Sequence, residues 1–156
     1  MPAVQTTYAT NIQPGVEGQV ATMLADDHAE TRNCETAAGI PFGRAVSEGA
    51  NARGCVLGGA TKFIGLSIRS VTEVPLSGAT VDQYQENFNV GVMLQGDMWV
   101  RPVAAVTHGA PATYNSTTGQ LNPAAAGVAI AGSRYLTSAG AGELALLRIT
   151  TAGPGA

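Results

Sequence analysis

The chain has 156 residues, enough for one domain with a sizeable core and little room for a second, so stability demands neither a metal nor a disulfide framework. Charged residues make up 12%, about half the usual share, with a net charge of −3 and a single lysine, Lys62, which excludes the concentrated basic stripe of a nucleic-acid binder. A hydrophobic share of 45% disfavours disorder. With no apolar run long enough for a membrane helix and no signal-peptide start in Met1 to Thr10, the expected product is soluble, with no membrane partner.

Twenty glycines and 8 prolines punctuate the sequence every few residues and imply many short elements. Residues 1–14 form a polar, Thr-rich arm with Val4, Tyr8 and Ile12 at four-residue spacing, closed by the turn signal Pro14-Gly15. Val16 to Ala25 fits helix and strand spacing alike, and Gly18, which costs a helix about 1 kcal/mol, favours a strand. Ile40 to Val46 and Phe63 to Arg69 read as strands. In the second, Ile64, Leu66 and Ile68 share one face, while Ser67 and Arg69 are expected toward solvent.

Val90 to Leu94 and Met98 to Val103 read as two strands joined at Gln95-Gly96-Asp97, where a glycine supplies the backbone of a tight hairpin or bulge. Ala112 to Tyr114, Arg134 to Thr137 and Leu144 to Thr150 follow. In the last, Ala145, Leu147 and Ile149 face one way and Leu144 and Leu146 the other, so both faces call for cover. Pro123 to Gly127 and Thr137 to Gly142 read as loops, and 152–156 as a flexible tail. Short strands separated by Gly, Pro and Asn turns predict an all-β fold, a small barrel or sandwich spanning 15–151.

Site chemistry is sparse. Asp26, Asp27 and His28 have no diagnostic metal spacing and read as a polar loop. Ser67 lacks the second glycine of a nucleophile elbow. Cys34 and Cys55 are too far apart in sequence for a Cys-x-x-Cys pair, and reduced, partly buried thiols are expected. Gly54 to Gly59 and Gly140 to Gly142 lack the Gly-Lys-Ser/Thr ending of a phosphate loop and read as flexible connectors. The acidic residues, Glu17 and Asp97 among them, are dispersed singly and read as solvated turn positions. No catalytic residue, metal or cofactor is expected. Met98, Trp99, Leu144 and Leu146 are candidates for buried contacts, within the core or between subunits.

Taken in order, Ile40-Pro41-Phe42-Gly43-Arg44-Ala45-Val46, Phe63-Ile64-Gly65-Leu66-Ser67-Ile68-Arg69 and Val92 to Val100 resemble segments of the structural cement, or capsid decoration, proteins of tailed bacteriophages. Thr118-Gly119-Gln120-Leu121, Ala131 to Ser138 and Leu144 to Ile149 continue the likeness, which covers Gly15 to Ile149 and leaves the arm outside it. Gly109-Ala110-Pro111-Ala112-Thr113-Tyr114 departs from the family's usual Gly-Asp-Pro-Val-Tyr, lacking the turn aspartate and carrying one extra residue.

The resemblance implies a non-enzymatic virion protein, assembled in the host cytoplasm onto the outer face of the head. It would sit there as homotrimers where capsomers meet, with the major capsid protein as partner, bracing the shell against internal DNA pressure. Val4, Tyr8 and Ile12 are the arm's candidate capsid contacts. The alternative is a carbohydrate- or receptor-binding β module of a phage fibre or tail, with Trp99, Tyr84 and Tyr114 as stacking residues. A small trimeric β-barrel enzyme is a third class, without a converging nucleophile, base or metal set to support it.

Overall fold

The computed structural model describes residues 13–22, 27–72 and 82–150. Its strands are β1 (His28–Cys34), β2 (Ile40–Pro41), β3 (Ala45–Glu48), β4 (Gly54–Leu57), β5 (Phe63–Ser67), β6 (Gln83–Tyr84), β7 (Asn89–Val100), β8 (Thr113–Tyr114), β9 (Val128–Ala129), β10 (Ser133–Tyr135) and β11 (Ala145–Ile149). There is no helix among the described residues. β7 pairs with β1 and β5, β5 with β3, β3 with β4, and β4 in parallel with β1, so five strands close a small barrel. Closure removes the open edges that a sheet of this size would otherwise expose. The fold is all-β, as the spacing of turns predicts.

The second half of β7 leaves the barrel and pairs with β11, which carries β10. Val90 and Val92 belong to the barrel's core with Ile40, Phe42, Val46 and Ile64. Met98 and Val100 belong to a second core with Tyr114, Leu121, Tyr135 and Leu147. The two expected strands, Val90 to Leu94 and Met98 to Val103, are therefore one strand of 12 residues. Gly96 has φ +138°, and a Cβ there would meet Asp27 Oδ1 at 3.0 Å and Met93 Sδ at 3.2 Å. The chain bends at this glycine without reversing: His28 of β1 pairs with Gln95, and Ile149 of β11 with Gly96.

Several other expectations are corrected. Val16 to Thr22, the described part of the expected Val16 to Ala25 strand, is instead a strap that makes one bridge, Val20 to Met98, after a turn at Gly18 with φ +82°. Ile40 to Val46 is broken into β2 and β3 by a turn at Gly43, with φ +72°. Ser67 is fully buried and stitches that turn, its hydroxyl accepting from Arg44 N at 3.0 Å and donating to Pro41 O at 2.7 Å. A buried hydroxyl needs such partners, and the turn supplies them. Gly54 to Leu57, expected as a connector, is barrel strand β4, and the polar segment at His28 opens β1. The arm candidates Val4, Tyr8 and Ile12, and the tail at 152–156, lie outside the described residues.

Cys34 and Cys55 meet as register partners of β1 and β4, free and fully buried. Removal from water pushes the Cys55 thiol up to about 12, with the neighbouring Cys34 adding to the effect. Burial likewise raises Cys34, whose Sγ donates to Thr36 O at 3.6 Å. Since the thiolate is the reactive form, both thiols should resist a disulfide reagent such as Ellman's in the native protein and react only after denaturation. Rapid titration of two thiols per chain under native conditions would contradict this packing.

Candidate functional site

Trp99 and Leu146 are register partners across β7 and β11, and with Leu144 they lie half-buried on the outer side of that sheet. Met98, their companion in the sequence reading, is fully buried in the second core. The strap from Gln13 to Thr22 runs over this outer side. Gly18 N donates to Trp99 O at 2.8 Å, Trp99 N to Gln19 O at 2.9 Å and Ala21 N to Asp97 O at 2.8 Å. Gly15 rests on the indole so closely that a Cβ would come within 2.5 Å of Trp99 Cδ1. A glycine at this position is what lets the backbone approach the ring.

Charged groups fix the strap's two ends. Asp97, whose side chain is only 2% exposed, accepts a bidentate pair from Arg148, Nε to Oδ1 and Nη2 to Oδ2, both at 2.7 Å. Its Oδ2 also accepts from Thr22 Oγ1 at 3.3 Å. The aspartate expected at a solvated turn is thus a buried anchor. At the other end Arg101 donates to Gly142 O at 2.9 Å and to Gln13 Oε1 at 3.4 Å, which fixes the root of the arm beside Trp99.

Glu17 is another acid that is not a freely solvated turn residue, its side chain being only 22% exposed. Burial raises its carboxyl above the ordinary value of 4.5 against the opposing pull of Arg44, whose Nη2 lies 3.6 Å from Oε1. Glu35 behaves oppositely. It accepts from the backbone N–H of Asn51 at 2.9 Å and of Ala50 at 2.6 Å and from the Asn51 side chain at 2.7 Å, and these bonds hold it below 4.5. It clamps a turn between β3 and β4 rather than joining any other carboxyl.

Of the three aromatics that a sugar-binding face would need, Tyr84 and Tyr114 are buried. Tyr84 packs edge-on against Phe42 and donates to Ile68 O, while Tyr114 donates to Gly59 O. That leaves Trp99 alone on the surface, so the stacking set does not assemble. Among the described residues no three metal-ligating side chains converge, and His28 stands exposed at the start of β1.

The family pattern described as "Structural cement protein (E217 gp24/Pam3 gp6)" matches residues 4–150. The chain belongs to this family. The match begins within the arm, eleven residues earlier than the Gly15 start of the likeness seen in the sequence, so the family's pattern includes Val4, Tyr8 and Ile12 as well as the strap. As a structural cement protein it is a component of the bacteriophage capsid and so of the virion, and its family is structural rather than catalytic. A chain of the capsid of Myoviridae phage XM1 shares the fold, with a TM-score of 0.66 at 18% identity over 95% of this chain and 98% of that one. The head fibre gp8.5 N base of bacteriophage phi29 is more distantly similar, with a TM-score of 0.46 at 12% identity over 80% of this chain and 94% of that one. No curated protein sequence matches the cement protein.

Replacing Asp97 by Asn leaves Arg148 without its bidentate acceptor and weakens the tie to Thr22. Thermal unfolding should show Tm lower by roughly 5–10 °C, and an unchanged Tm would mean that the pair is not an anchor. Glu17→Gln tests the opposite case. A carboxyl raised on folding favours the native state when protonated, and that stability is lost as pH climbs from 4.5 through the raised value. The variant should therefore match wild type below about pH 4 and melt higher at about pH 7. A lower Tm at neutral pH would show that the attraction to Arg44 outweighs burial.

Proposed function

We propose that this cement protein binds the outer surface of the assembled head as homotrimers where capsomers meet, and holds the shell against internal DNA pressure. The observation that carries the reading is the family match over 4–150. The anchored strap supports it: Gln13 is held by Arg101 beside Trp99, so an arm built from residues 2–14 starts from a fixed point on a rigid β body. In this reading Val4, Tyr8 and Ile12 seat in pockets of the major capsid protein, and the extended main chain adds to a sheet edge. Ordering the arm costs roughly 1–2 kcal/mol per residue, which only a surface that buries those anchors offsets. Many copies on a symmetric shell multiply a modest interface, because each bridge stabilises the assembled state and not the free capsomers.

The test is titration of purified protein onto heads that lack it, with bound protein measured after sedimentation and DNA release measured on heating. Decorated heads should release DNA at a higher temperature than bare ones. A chain without Pro2 to Ile12 should keep the melting temperature of the free protein while needing a higher concentration to saturate heads. Equal saturation by the truncated chain would move the capsid contact from the arm to the β body, and failure of the full chain to bind would reject the capsid reading.

A further inference from the structure

None of the 8 Lys and Arg or 11 Asp and Glu residues falls between Pro102 and Ser133, although the segment is a fifth of the chain. Arg101 and Arg134 flank it, and His108 is the single imidazole inside it. The segment folds as a lobe on the second core. Val106, Ala112, Tyr114, Leu121 and Ile130 are buried there, while the β8–β9 ladder pairs Tyr114 with Val128 and Thr113 with Ala129. Val103 N donates to Leu121 O at 2.9 Å and Ala104 N to Asn122 O at 3.0 Å, which lays residues 103–105 beside the loop at Pro123 to Gly127. The outer side of this junction presents Val103, which is 39% exposed, with exposed Ala105, Ala124, Ala125 and Ala126.

We infer that this charge-free lobe is the surface through which one copy of the chain meets another; the inference rests on the trimer reading above and assigns its contact. Each copy carries a net charge of −3, and contact through a face without ionised side chains keeps the charges of two copies farther apart than contact through a charged face would. Burying it strips no ionised group of water, and Lys and Glu are the residues that interface cores lack. Alanine, glycine and proline have almost no side-chain freedom to lose on contact, and the ladder and the Asn115 turn already hold the backbone. The face around Trp99 has the opposite character. The strap covers it, and Arg101, Asp97 and Arg148 border it.

The experiment is sedimentation equilibrium of the full chain from micromolar to millimolar concentration, comparing wild type with Ala125→Glu, Ala125→Arg and, as a control outside the lobe, Glu86→Arg. Val103→Asp repeats the test from the other side of the junction, and circular dichroism confirms that each variant is folded. The wild type should self-associate, and both charges at Ala125 should weaken association by about tenfold or more, because either sign would be buried without a partner. Glu86→Arg should associate at least as tightly as wild type. Three results would overturn the inference: a wild type that stays monomeric, an Ala125→Arg chain that associates as well as wild type, or a loss in Glu86→Arg equal to that in Ala125→Glu. Head decoration is measured separately. A chain that self-associates through the lobe but fails to bind heads defeats the capsid reading alone, and one that binds heads while its Ala125→Arg variant self-associates as well as wild type defeats the lobe alone.

Discussion

The structure depends on one strand serving two bodies. β7, roughly 40 Å long at the rise of an extended chain, has β1 and β5 on either side of its first half and β11 and the strap against its second. Its main-chain groups are satisfied by four different segments, and its side chains supply both cores. The exchange of partners happens at Gly96, whose φ of +138° lets the ladder pass from β1 to β11 within one residue. A residue with a side chain would face strain there and a contact with Asp27. The barrel and its extension are consequently tied together through one continuous strand.

Charged side chains are few in this sequence, and several of them hold the chain in place. Asp97 gathers Arg148 and Thr22, Arg101 gathers Gln13 and Gly142, and Glu35 gathers the turn at Ala50 and Asn51. Such bonds stabilise modestly when made and cost more when broken, so they fix geometry more than they add to overall stability. For a cement protein that is the useful property. In the proposed assembly, a fixed arm root and a stiff neutral lobe would keep the ordering cost of contact low, leaving more of the contact energy for the shell.

The parts of the fold legible in the sequence are those in which apolar core residues recur at every second position. Ile64 and Leu66 on β5, and Ala145, Leu147 and Ile149 on β11, are in the core as their spacing predicts. β1 could not be read this way because most of its side chains are exposed or half-buried; its two neighbours in the barrel make it a strand, and neither is near it in sequence. Ser67 and Asp97 look like surface residues on polarity alone. Their partners, Pro41 and Arg44 for one and Arg148 for the other, lie more than twenty residues away, so only folding reveals the burial. Cys34 and Cys55, separated by twenty residues, meet for the same reason. Gly96 announced a departure from regular strand, but whether the chain reverses or continues is decided by β11, which lies some fifty residues downstream.

In the proposed assembly a rigid β body holds the shell through its arm while copies meet through the uncharged lobe. An electron cryomicroscopy map of the intact head, with the chain fitted as one body, tests it most directly. Density for the barrel is expected on the outside of the shell, with the Gln13 end turned toward the major capsid protein and the loops at 103–105 and 123–127 of adjacent copies facing one another. Density for the chain inside the shell, or charged β-barrel faces packed between copies with the lobes open to solvent, would contradict it.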